Sequence, residues 1–128
     1  MGRLAVLLVL GLAGCASFPT PQESRGFNHG VPIARPAAVT LVTRFVQSTA
    51  KDPDSVRMTC GAPEAYWTQN RFTKASLVVG YRIECLVNAK NSYGGYTGNQ
   101  AYGFMIRDDV VRQYWTYPNK IPFDVYFR

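Results

Sequence analysis

Apolar residues recur at two different periods along this chain. Between residues 37 and 51, Ala38, Leu41, Val42, Phe45 and Val46 fall on one helical face, with Thr40, Thr43, Arg44 and Gln47 largely opposite. Pro36 suits a helix start, and Asp52-Pro53 ends the helix because a residue before proline is pushed out of helical geometry. Beyond this point the period drops to two. Val56, Met58 and Cys60 alternate with polar residues over 56–60, and Val79, Tyr81, Ile83, Cys85 and Val87 do so over 77–88. Segments 101–107 and 110–116 flank Asp108-Asp109, which predicts a tight hairpin with Ile106 opposite Val111 and Tyr102 opposite Trp115. The stretch 61–75, carrying Tyr66, Trp67 and Phe72, reads as a loop, and 123–127 as a short edge strand. The predicted fold is α+β: one N-terminal helix packed on a small antiparallel sheet of about four strands, in two layers.

The first residues follow neither period. Arg3 precedes an apolar run over residues 4–12, which then closes on Leu12-Ala13-Gly14-Cys15. Such a run suits a signal segment and is far short of the ~20 residues needed to span a bilayer. These four residues resemble the lipobox of bacterial lipoproteins. That resemblance implies a signal peptide at 1–14 and acylation of Cys15 with chains such as palmitate. At ~0.8 kcal/mol per buried methylene, two or more chains hold a protein on a membrane stably. Ala16 and Ser17 follow with no aspartate, which by the same resemblance points to the outer membrane, facing the periplasm; an ordinary secretory signal is the alternative. Residues 15–36 then read as an acylated cysteine and a flexible tether, since four prolines and two glycines disfavour a helix. The domain proper is 37–128.

Two further cysteines remain, Cys60 and Cys85. An even pair in an oxidising compartment reads as a disulfide between adjacent strands, worth about 3.5 kcal/mol by chain entropy. Buried free thiols are the plainer alternative. A redox role is disfavoured, because no second cysteine stands three residues away and no histidine lies near.

Residues 88–98, NAKNSYGGYTG, form the most distinctive segment. Gly94, Gly95 and Gly98 permit backbone angles closed to other residues. Two readings stay open. In one, the segment is a structured connection whose tyrosines cover the sheet edge. In the other it is a binding loop, in which Tyr93 and Tyr96 offer flat apolar surface, Asn91 hydrogen-bonds hydroxyls and Lys90 attracts an anion. Together with Asp52-Pro53-Asp54-Ser55, the segment resembles a family of small bacterial secreted proteins and lipoproteins. Their members pair an Asp-Pro-x-Ser turn after a helix with an Asn-x-Lys-Asn-x-(Tyr/Phe)-Gly-Gly-Tyr-x-Gly run after a cysteine-bearing strand. The resemblance covers about residues 39–106. It departs at Leu86, where such proteins often carry glycine, and it implies fold and location but no activity.

Charge and chemistry narrow the function classes. The formal net charge is +6, with basic residues dispersed rather than clustered, so no nucleic-acid footprint is expected. The sole histidine, His29, lies in the expected tether, which leaves the domain without a serine–histidine pair or a metal-ligand cluster. Glu84 with Asp54 or Glu64 could form an acid–base pair, yet Glu84 beside Arg82 reads as a solvated neighbour. The expectation is a non-enzymatic, cofactor-free envelope lipoprotein that binds another envelope protein. The alternatives are a peptidoglycan-binding module and a periplasmic inhibitor of the immunity type.

Overall fold

The computed structural model describes residues 18–69, 77–117 and 123–124. The leader 1–14, Cys15 and Phe72 lie outside them. In chain order the elements are α1 (Pro21–Arg25), α2 (Arg35–Thr49), a 3-10 turn (Pro53–Ser55), β1 (Arg57–Cys60), β2 (Glu64–Thr68), β3 (Val78–Asn88), β4 (Gln100–Arg107), β5 (Val110–Thr116) and β6 (Phe123–Asp124). A helix on an antiparallel sheet makes the domain α+β, with sheet predominating.

Among the described residues the sheet has six strands in place of the expected four or so. Its order is β1-β3-β4-β5-β6, and β2 also pairs with β3. β1 and β2 lie end to end along one edge of the long β3: Cys60 pairs with Cys85, and Trp67 with Val79. The additional strand arises where a loop was expected. Glu64 to Thr68 sends Ala65 and Trp67 to the face of Tyr81 and Val79, while Tyr66 joins Gly80 and Arg82 on the other. Adjacent aromatics hid this alternation, because each packs on its own face.

α2 lies where its apolar stripe predicts. Ala38 and Val42 are completely buried against Ile83, Cys85, Phe104, Ile106 and Val111, flanked by Leu41, Phe45 and Val46. Each large side chain so buried contributes about 1.5–3 kcal/mol. Arg35 ties the helix start to the end of β1, its guanidinium donating to the carbonyls of Cys60 (2.8 Å) and Gly61 (3.3 Å).

The Asp108-Asp109 hairpin forms as expected, with both residues in the left-handed region (φ 52° and 58°) that a two-residue hairpin turn requires. Ile106 does oppose Val111. Tyr102, however, opposes Thr116, and Trp115 opposes Gly103. The cause is a bulge between Met105 and Ile106, where Arg112 is the extra residue. One inserted residue exchanges the faces of everything beyond it. Tyr114 therefore joins the helix side against Phe45 (5.7 Å between ring centres), and Trp115 goes to the opposite face. Gly103 makes that placement possible: a Cβ there would fall inside the Trp115 indole.

The stretch expected to be a helix-free tether also differs. α1 opens with Pro21 in its first turn, where a missing N–H costs nothing, and its start is capped by a capping box between Thr20 and Glu23. The Thr20 backbone N–H, and then its hydroxyl, hold the Glu23 carboxyl below the ordinary range. The chain then lies on the sheet. Phe27 meets Trp67 edge to face (6.2 Å), His29 packs by Tyr81 (6.2 Å), and Arg107 donates to the Asn28 carbonyl (2.6 Å).

Cys60 and Cys85 form a disulfide between directly paired residues of β1 and β3, 25 positions apart, as expected.

Candidate binding loop

The segment 88–98 leaves the end of β3 and returns to β4 as a small hairpin of its own. Its rungs are backbone bonds from Asn91 N–H to the Gly95 carbonyl (2.8 Å) and from Thr97 N–H to the Ala89 carbonyl (3.2 Å), around a Lys90–Tyr96 bridge. Gly94 and Gly98 take φ of 80° and 92°, which explains two of its glycines. The asparagines hold the turn from inside. Asn91 Oδ1 accepts from the N–H of Tyr93 (2.9 Å) and of Gly95 (3.2 Å), and Asn88 Oδ1 accepts from Gly98 N–H (3.1 Å).

The loop is also bound to the rest of the domain. Ser55, almost wholly buried, donates its hydroxyl to the Asp52 carbonyl (2.8 Å) and accepts the Lys90 N–H (2.9 Å). Ser55 thus ties the 3-10 turn to the 88–98 loop. Lys51, just past α2, donates to Ser92 Oγ (2.8 Å). Neither Ser55 nor Lys51 stood out from sequence as a loop residue.

The four candidate residues take three different roles. Asn91 is spent on the backbone. Lys90 Nζ sits 5.5 Å from the centre of the Tyr96 ring, a cation over a π face, and Tyr96 is 46% exposed. Tyr93 stands at the tip, 97% exposed, covering nothing.

A second polar cluster lies on the sheet face away from α2. Arg82 stacks over Tyr66 (4.2 Å) and lies between two carboxylates, Glu64 (2.9 Å) and Glu84 (3.7 Å). The acid–base pairing considered for Glu84 and Glu64 therefore has a guanidinium at its centre, and Asp54 stands apart in the 3-10 turn. Tyr117 donates to Glu84, and its phenol is pushed above its ordinary pKa, first by burial and then by that bond.

Among the described residues no group of three or more histidine, cysteine or acidic side chains is placed to hold a metal ion, and no helix is long and apolar enough to cross a membrane. Comparison of the chain with protein-family models, with curated proteins and with solved structures finds no match.

Proposed function

We propose that this chain is a non-enzymatic lipoprotein, anchored through Cys15 and facing the periplasm from the outer membrane, whose domain docks another envelope protein through the loop at 88–98. The observation that carries the reading is Tyr93: a ring 97% exposed on a backbone hydrogen-bonded at nearly every turn. A connecting loop would lay its aromatic on the sheet edge. An aromatic held out on an ordered backbone loses little entropy on binding, which is the property of an interface anchor. Protein is favoured over glycan because the asparagine oxygens that would bond sugar hydroxyls are engaged within the loop, and Lys90 occupies one face of Tyr96.

The test is crosslinking in intact cells with formaldehyde, followed by purification of the chain. The wild type and Tyr93→Phe should yield the same discrete protein adduct, and Tyr93→Ala should lose it. An adduct unchanged in Tyr93→Ala, or recovery only with peptidoglycan fragments, contradicts the reading. Cys15→Ser tests the anchor separately: the protein should leave the membrane fraction for the soluble one.

A further inference from the structure

The chain joins the domain soon after Cys15. Thr20 caps α1, Phe27 packs on Trp67, and a Cβ on Gly30 would lie 3.1 Å from Asp108 Oδ1, so the segment from residue 20 onward belongs to the start of β3. We propose that this end of the domain rests in the lipid headgroups, seated by Val31 and Leu77, with the 88–98 loop held away from the bilayer. The proposal rests on the anchoring at Cys15 above and adds the face that is turned to the lipid.

Three observations carry it. The first is reach. Five residue steps from Cys15 to Thr20 span at most ~18 Å. β3, with its 11 residues, runs for about 36 Å from that end to the 88–98 loop. An acylated Cys15 therefore brings the start of β3 to the bilayer first. The second is the surface found there. Val31 is 76% exposed and Leu77 39%. Val31 follows Gly30, and Leu77 stands two residues before Val79, whose carbonyl shares Arg107 with that of Asn28. Both side chains thus belong to the end nearest the anchor. Apolar side chains that face water beside a bilayer gain by entering its interface, and a lipid chain that already holds the protein there removes most of the cost of approach. The third is charge. Arg25 and Arg107 at this end are matched by Glu23, Asp108 and Asp109, so the seat owes little to anionic headgroups and forms on zwitterionic lipid.

The test uses the full chain as purified from cell membranes, ¹⁵N-labelled and placed in phosphatidylcholine nanodiscs that contain a lipid with a gadolinium chelate on its headgroup. The amides of Gly30, Val31, Leu77 and Asp108 should broaden severalfold more than those of Gly94 and Gly98. Val31→Asp with Leu77→Asp, both at exposed positions, should cut that broadening severalfold while the chain stays in the nanodisc. Leu86→Asp, exposed toward the other end of β3, should leave it unchanged. Equal broadening at both ends, stronger broadening in the loop, no change in the double variant, or a pattern that appears only with anionic lipid overturns the proposal. Intact mass of the same sample tests the anchor separately. A chain without acyl groups removes anchor and seat together, and an acylated chain without end-selective broadening removes the seat alone.

Discussion

The two ends of β3 are finished in opposite ways. At its start, around Val79 and Tyr81, the chain covers its own sheet: Phe27 packs on Trp67, His29 on Tyr81, Ile33 joins the core, and Arg107 clasps both the Asn28 and the Val79 carbonyls. At its finish, around Val87, α2 has already ended at Thr49, and among the described residues no such segment covers that end. That end is held instead by a disulfide, by the Ser55 hydroxyl and by hydrogen bonds within the loop. Packing secures one end, and covalent and polar ties secure the other. On the proposed docking function, a surface that receives a partner must stay uncovered, so its order has to come from ties that do not fill it. The arrangement also separates the roles: the chain approaches from its N-terminus at the covered end, and Tyr93 projects from the other.

The largest expected effect comes from removing the covalent tie. Cys60→Ala with Cys85→Ala should lower stability by about 3.5 kcal/mol by chain entropy. Amide exchange should quicken most in β1 and the 88–98 loop, and much less in the Asp108-Asp109 hairpin. Equal loosening at both ends would break the contrast. Next comes Ser55→Ala, which strands a Lys90 N–H at a buried site and should cost about 1–2 kcal/mol by denaturant melt. Its more specific sign is faster exchange of the Gly95 and Gly98 amides with the hairpin unchanged.

The covered end can be improved. Asp109 holds a left-handed backbone at φ 58° that glycine adopts without a steric penalty, so Asp109→Gly should stabilise by about 0.5–1 kcal/mol. The increment should not alter exchange in the loop. The smallest effect belongs to Tyr117. Its phenol holds its proton more tightly folded than unfolded, so that contribution is complete below the ordinary tyrosine pKa of about 10 and is lost as pH rises through the higher folded value. Tyr117→Phe should flatten the decline in melting temperature above that pH.

How much of this was legible in the sequence depended on whether one residue's environment was local. α2 was readable because Ala38, Leu41, Val42, Phe45 and Val46 report a single face, and β3 because its alternation runs unbroken. The disulfide followed from parity and phase. The bulge at Arg112 could not be read, since an inserted residue looks like any other until its partner strand is known; it moved Trp115 to the far face. β2 was hidden by the adjacent Tyr66 and Trp67, which serve different faces. α1 is hard to read because the prolines at 19, 21 and 32 point to extended chain, whereas Thr20, Pro21 and Glu23 together spell a capped helix start. In the loop, the glycine positions were visible; whether its tyrosines cover the sheet edge or stand exposed was not. What was not visible was that Asn88 and Asn91 are consumed internally and that Ser55 reaches across from another turn. The opening lined by Phe45, Val87, Tyr102 and Tyr114 is a product of where α2 stops relative to β3, a distance no local pattern encodes.

The contrast between the two ends is tested most directly by placing one photo-crosslinking amino acid at Tyr93 and, in a second strain, at Asp109, both exposed and at opposite ends of the sheet. After irradiation of intact cells, a discrete protein adduct is predicted at position 93 and none at 109. An adduct at 109 alone, at both positions or at neither would contradict docking through the uncovered end.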